Sequence, residues 1–434
     1  MKHLICCGVF VLGVMFTAIG WSYPLDGYAY TGIARLEAYR LAMAGKVRAP
    51  KQPPGALLSL DQVDLRLQTR TEFEIPSADA EFVTQVQNLL GAEAERYAMA
   101  VLDLSNIEQP RYAEHRSTSR ANPGSVGKIL VALGVFQALA DIYPNDIESR
   151  LNVLRNTVVT ADEFIQSDHH VVPVWQPGDS LVRYPKIQVG DQASLWTYLD
   201  WMLSASSNAA ASMVMRELML LVHFGRAYPV SDVQAVQFFK STPRKELSAL
   251  LVRALQDPVI RNGLDLEQLR QGSFFTRQGK RLVPGTTSYA SPRELLHWLI
   301  KLEQGKLVDV FSSREIKRLL YMTQRRIRYA SAPALAEAAV YFKSGSLYKC
   351  KSESDFKCKK YHGNVVNMLN SVAIIEAPAT ERQLYYMVVL MSNVLRKNSA
   401  VVHQTLATRI HRLLEQFYKV GKFRTPLKNA SNAP

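Results

Sequence analysis

Asn122-Pro123-Gly124-Ser125-Val126-Gly127-Lys128 opens an apolar run that continues through Ile129, Leu130, Leu133, Val135, Phe136 and Leu139. Its first three residues are a turn and a helix-entry signal, and the run is apolar enough for a helix buried at the centre of a domain. One helical turn sets residues i and i+3 side by side. Ser125 and Lys128 therefore share the start of that helix, where a neutral amine can take the proton from the serine oxygen. A poor nucleophile then becomes able to attack a carbonyl and form an acyl-enzyme. Ser346 with Lys349 and Ser354 with Lys357 repeat the spacing, but in a charged, cysteine-flanked segment. A phosphate loop does not fit Gly127-Lys128, because Asn122 stands five before Gly127 and Ile129 follows Lys128. A nucleophile elbow needs glycine two before the serine, where Pro123 stands.

Two later segments supply context. Ser206-Ser207-Asn208 is a polar break between two helical apolar patterns, and Lys343-Ser344-Gly345 follows Ala339-Val340-Tyr341-Phe342, a strand entering a glycine turn. In this order the three segments resemble the active-site motifs of penicillin-binding proteins and serine β-lactamases. The likeness is closest to class A β-lactamase-like serine hydrolases and spans about residues 80–420, including a threonine-rich turn, Thr286-Thr287-Ser288-Tyr289-Ala290, that opens a later helix. It implies an α/β (α+β) chain with the β-lactamase/transpeptidase-like fold: an antiparallel sheet of about five strands flanked by helices, plus a mostly helical subdomain carrying the Ser-x-x-Lys helix. Strands are then expected over 97–104, 111–115, 364–376 and 384–394, with a closing helix over 399–418. A first helix, capped by Ser77 or Asp79 and striped by Phe82, Val83, Val86, Leu89 and Leu90, is implied to pack beside the closing one.

The resemblance also implies roles. Ser125 is the nucleophile and Lys128 its base, and the backbone N–H groups of Ser125 and Ser346 hold the oxyanion. Ser206 relays a proton toward the leaving nitrogen. Asn208 holds the substrate's amide side chain and orients Lys128, while Lys343 and Ser344 receive the substrate carboxylate. Gly345 is expected to leave room for substrate to approach that strand. Lys128 serves as base only if burial and the charge of Lys343 depress its pKa.

The chain departs from class A enzymes in two places. The glutamate-x-x-leucine-asparagine loop of their deacylation step has no counterpart: residues 273–280 carry no acid, and Glu267, the nearest candidate, lacks the leucine-asparagine and is expected on a helix surface. Ser207 stands where class A enzymes usually carry aspartate. Three functions follow. The first is an exported class A β-lactamase-like serine hydrolase. The second is a D-alanyl-D-alanine carboxypeptidase or transpeptidase acting on peptidoglycan, favoured by the missing glutamate. The third is an inactive relative that binds cell wall or a protein partner, favoured by the degenerate second motif.

At 434 residues, 47% hydrophobic and 21% charged, the chain is a folded protein long enough for a large core. Lys2 and His3 precede the apolar run 4–20, and Gly20-Trp21-Ser22 gives small residues at cleavage spacing, so 1–22 is predicted to be a signal peptide, or failing cleavage a membrane anchor, of a periplasmic or secreted protein. Cys6 and Cys7 precede most of that run and are not expected to carry lipid. Once it is removed, Cys350 and Cys358 remain, able to staple a short loop in an oxidising compartment. Residues 23–75 are an N-terminal extension without recognisable chemistry, 80–420 the catalytic domain and 421–434 a basic tail; segments 158–189 and 224–255 are expected insertions. Asp168-His169-His170, within the first insertion, is expected as polar residues on the surface and not as a metal site. No metal or cofactor is called for. The net charge of +14 gathers at Lys317, Arg318, Arg325, Arg326 and Arg328 and at Lys419, Lys422, Arg424 and Lys428, expected as a solvated face and tail. In an exported protein this charge favours weak contact with an anionic cell envelope over nucleic acid, beside a β-lactam or peptidoglycan stem-peptide substrate.

Overall fold

The computed structural model describes residues 25–321 and 327–424; the expected leader, with Cys6 and Cys7, and the tail beyond residue 424 lie outside them. Five strands, β1 (Tyr97–Asp103), β2 (Arg111–His115), β3 (Ala339–Lys349), β4 (Val366–Ala377) and β5 (Leu384–Asn393), form one antiparallel sheet in the order β2-β1-β5-β4-β3. The expected α/β (α+β) architecture is observed. Successive strand residues face opposite sides of a sheet. Tyr97, Met99 and Val101 accordingly enter one core, while Ala100 and Leu102 enter the other, and β5 divides Tyr386, Val388 and Leu390 from Met387, Val389 and Met391 in the same way.

Eight helices position the site: α1 (Ala34–Met43), α2 (Ala80–Leu90), α3 (Lys128–Ile142), α4 (Leu195–Leu203), α5 (Asn208–Phe224), α6 (Pro292–Glu303), α7 (Val310–Tyr321) and α8 (Ser399–Arg424). Asp79 caps α2 by accepting from the Phe82 N–H. Phe82, Val86 and Leu90 of α2 share the smaller core with Leu406, Ile410 and Leu414 of α8, and Phe82 meets Phe417 edge-on at 5.6 Å. On the other face, α3 is buried from Lys128 to Leu139, a core helix packed against α5.

The N-terminal segment is built into the main core. Ile33, Leu36, Leu58, Val63 and Leu67 join it. Arg35 meets Asp200 of α4 with two 2.6 Å bonds, both side chains buried. The 158–189 segment begins as a short strand, Val158–Thr160, paired with Gln192–Ser194, then folds back over α4, where Trp201 donates to the Pro173 carbonyl. The 224–255 segment supplies two more helices, Asp232–Ser241 and Arg244–Arg261.

One expectation about charge is corrected. Lys317 is not on a solvated face: it is buried between Glu303 (2.6 Å) and Glu376 (2.8 Å), and Glu376 also pairs with Arg66. Arg318 is nearly buried beside Glu315. A buried cation needs paired anions to offset its lost hydration, and two separate elements, α6 and β4, supply them here. Arg325 and Arg326 lie outside the described residues, and Arg328 donates to Ser344 Oγ on β3, so among the described residues the cluster supplies no continuous basic face.

Candidate active site

The turn before Ser125 is held from two sides. The Asn370 amide on β4 donates to the Asn122 carbonyl (2.8 Å), and Ala121 exchanges backbone hydrogen bonds with Ala290, at the end of the threonine-rich turn. Gly124 has φ +54, a left-handed conformation suited to glycine, and Gly124–Gly127 form a 3-10 turn leading into α3. β3 presses against this turn. A Cβ on Gly345 would lie 2.3 Å from the Pro123 carbonyl oxygen and 2.5 Å from the Ser125 nitrogen. The missing side chain at Gly345 thus admits the turn that carries Ser125. The same approach brings the Ser346 nitrogen beside Gly124, 3.4 Å from where its Cβ would be.

Lys128 is fully buried, and its Nζ donates to the Ser206 carbonyl (2.6 Å) and to Asn208 Oδ1 (2.8 Å). No hydrogen bond joins it to Ser125 Oγ, one turn away; catalytic bonds of this kind often tighten only once substrate is bound. Phe275 covers the amine, its ring centre 4.9 Å from Nζ. Burial, then the Arg328 charge, push its pKa down to about 7 against the opposing pull of Asp168.

Ser206 carries a positive φ of 59, a strained conformation outside glycine. It turns the carbonyl toward Lys128 while Oγ accepts from Lys343 Nζ at 2.8 Å. Lys343 is itself buried and lies well below an ordinary lysine, by burial and then by the charges of Lys128 and Arg328. Ser207 caps α5 by accepting from the Ala210 N–H, which places Asn208 at the first turn with its oxygen on Lys128.

Arg328 completes the cluster and was not singled out from sequence. It donates to Ser344 Oγ (2.6 Å), to Ser346 Oγ (3.3 Å) and to the Tyr361 hydroxyl (2.8 Å). Its backbone has φ 56, and nothing in a basic run signals such a turn. Tyr361 arrives on the segment beyond β3, where Cys350 and Cys358 form a disulfide.

Asp168 and His170 also belong here, against the expectation that they lie on the surface. The Asp168 side chain is 4% exposed. Its Oδ2 accepts from Ser207 Oγ (3.0 Å) and the Ala209 N–H (2.8 Å), and its Oδ1 accepts from the His169 and His170 N–H groups and from His170 Nδ1 (2.6 Å). Ser167, at φ 77, turns the chain inward, and five donors offset the cost of burying the carboxylate. Asp168, His169 and His170 present ligand atoms within 4.8 Å of one another, but both carboxylate oxygens are already engaged, which describes a hydrogen-bonded dyad better than a metal cage. Class A enzymes usually carry the aspartate inside the second motif; here a carboxylate reaches that motif from the preceding insertion. Glu267 is exposed and pairs with Arg120.

Lys128, Lys343 and Arg328 thus act on one another at close quarters, with the Asp168 carboxylate acting on Lys128. The site brings together these three cationic side chains, the buried Lys128 amine one helical turn from Ser125, and the N–H groups of Ser125 and Ser346 on converging turns.

A family model, the β-lactamase enzyme family, matches residues 81–414. Among solved structures, a mutant of PBP-A in acyl-enzyme complex with penicillin G is 12% identical, covering 79% of this chain and all of that one, with TM-score 0.48. A β-lactamase from Sphaerobacter thermophilus is 15% identical over 78% of this chain and 97% of that one, TM-score 0.49. A β-lactamase from Xanthomonas campestris pv. campestris is 14% identical over 81% and 99%, TM-score 0.47. No curated protein matches. The family match and the five-stranded antiparallel sheet identify the fold as β-lactamase/transpeptidase-like.

Proposed function

The chain belongs to the β-lactamase enzyme family, and from that premise we propose that it is an exported serine hydrolase that opens an amide, β-lactam or D-Ala-D-Ala-like, through an acyl-enzyme on Ser125. The observation that carries the reading is Lys128: a buried amine pushed down to about 7, one helical turn from a hydroxyl. The shift from 10.5 favours the neutral amine by roughly 5 kcal/mol. Lys128 takes the Ser125 proton as Oγ bonds to the carbonyl carbon. The backbone N–H groups of Ser125 and Ser346 receive the oxyanion, each worth about 3 kcal/mol in such sites. Ser206, bonded to Lys343, passes the proton to the leaving nitrogen. Asn208 holds Lys128 and meets the substrate amide, and Lys343, Ser344 and Arg328 take the substrate carboxylate.

A peptidoglycan D-alanyl-D-alanine peptidase is the second reading. It is favoured by Phe275, an apolar ring over Lys128 in the segment where a class A enzyme would offer its acid. Incubation with a chromogenic β-lactam, followed by intact mass and turnover, separates the two. Fast turnover with little adduct supports the lactamase, and a long-lived adduct the peptidase. Activity retained in Ser125→Ala refutes both, and a wild type that neither forms an adduct nor cleaves substrate supports an inactive binder. Export is tested by the N-terminus of the mature protein: a start near residue 23 supports it, and an intact Met1 in the cytoplasm removes it.

A further inference from the structure

Deacylation needs a base that can reach water, and the segment that would carry it in class A enzymes brings Phe275 to Lys128 instead. The nearby insertion brings a different pair. Asp168 is fixed on both sides of Asn208, through Ser207 Oγ and the Ala209 N–H, so what it holds lies against the second motif. It holds His170. The 2.6 Å bond from His170 Nδ1 to Asp168 Oδ1 orients the ring and fixes the proton on Nδ1, leaving Nε2 as an acceptor without a hydrogen-bond partner among the described residues. The ring is 26% exposed, open enough for water to reach. It lies close enough to Lys128 for the two charges to act on each other.

We propose that His170, oriented by Asp168, is the general base of deacylation. This rests on the acyl-enzyme reading above. The water oxygen bonds to the acyl carbon as its proton passes to His170 Nε2. The tetrahedral intermediate then collapses, the carbon–Oγ bond of Ser125 breaks, and the same proton returns to Oγ as the carboxylic acid leaves. An imidazole backed by a carboxylate suits this task near neutral pH. The groups that bear on its titration are Asp168, which raises it, and Lys128 and His169, which lower it; burial, the largest influence, also lowers it.

The test compares wild type with His170→Gln using benzylpenicillin, following formation and decay of the Ser125 adduct by rapid-quench intact mass. Acylation within about threefold of wild type and an adduct lifetime lengthened at least 100-fold are expected, in line with general-base contributions. Added imidazole should restore part of the decay rate in His170→Ala, which loss of a merely structural contact would not allow. Wild-type decay should rise with pH through a single group below the ordinary histidine range, and that limb should vanish in His170→Gln. Equal decay rates in wild type and His170→Gln overturn the proposal, as does a wild-type adduct that never decays; both leave the acyl-enzyme reading intact. If neither variant folds, a pH-independent wild-type decay overturns it. A wild type that forms no Ser125 adduct and cleaves no benzylpenicillin removes the proposed function, and this inference with it.

Discussion

Lys128 Nζ donates to Asn208 Oδ1 at 2.8 Å, tying the helix that starts beside Ser125 to the helix that starts at Asn208. Eighty positions separate the two residues. The contact makes the amine's orientation a property of how α3 and α5 pack, and it does so where burial has already stripped the amine of water. Asp168, one shell further out, braces Asn208 from either side.

The acylation rate should follow the neutral fraction of Lys128, rising tenfold per pH unit below about 7 and levelling above it. Stability should move with it. The folded-state pKa lies below the ordinary 10.5, so between about 7 and 10.5 the unfolded chain holds a proton that the folded chain lacks, and this residue's contribution improves as pH rises through that window. Below about 7 its penalty is complete. Lys128→Met should therefore abolish acylation yet stabilise the fold by about 1 kcal/mol or more at pH 6; a lower Tm than wild type at that pH would contradict this.

Arg328→Ala should weaken substrates that carry the free carboxylate by roughly 10- to 100-fold in KM, the worth of one or two charge-assisted bonds. The matching carboxylate ester should lose little. Because the guanidinium helps depress Lys128, the acylation limb should also shift to higher pH. An unchanged KM and an unmoved limb would exclude Arg328 from the site.

Gly345→Ala places a methyl group against backbone at Pro123 and Ser125, which cannot yield as a flexible side chain does. Overpacking of this kind costs roughly 1–3 kcal/mol. Relief by shifting the turn would move the Ser125 nitrogen and Oγ, so acylation should fall more than 100-fold while the melt stays cooperative. Near-wild-type acylation would show that β3 and the turn are not in close contact.

Arg35→Ala should destabilise the protein by roughly 3–5 kcal/mol, since it leaves Asp200 buried without its bidentate partner. Replacing both residues with apolar ones of similar size should recover most of the loss. If Arg35→Ala melts like wild type, the N-terminal segment is not the structural part that its core residues indicate.

How much was legible in the sequence follows from the range of each interaction. The start of α3, the strands of the sheet and the cap of α2 at Asp79 each depend on periodicity or on contacts a few residues apart, and the chain displays them openly. The order of three short motifs was enough to indicate the family and which segments to look for in one place. Arg328 was hidden in a basic run because its role depends on a left-handed backbone turn, and Lys317 was misjudged as solvated because its partners, Glu303 and Glu376, come from two other elements.

What the sequence by itself determined is the list of reactive groups and the local frames that present them. Only the tertiary structure decided their burial and their company: that Lys128 is dry, that Gly345 admits the Ser125 turn, and that Asp168 and His170 fold inward from an insertion to the second motif. Desolvation and Coulomb forces depend on distance in space, and no spacing along the chain encodes that distance for residues far apart in sequence.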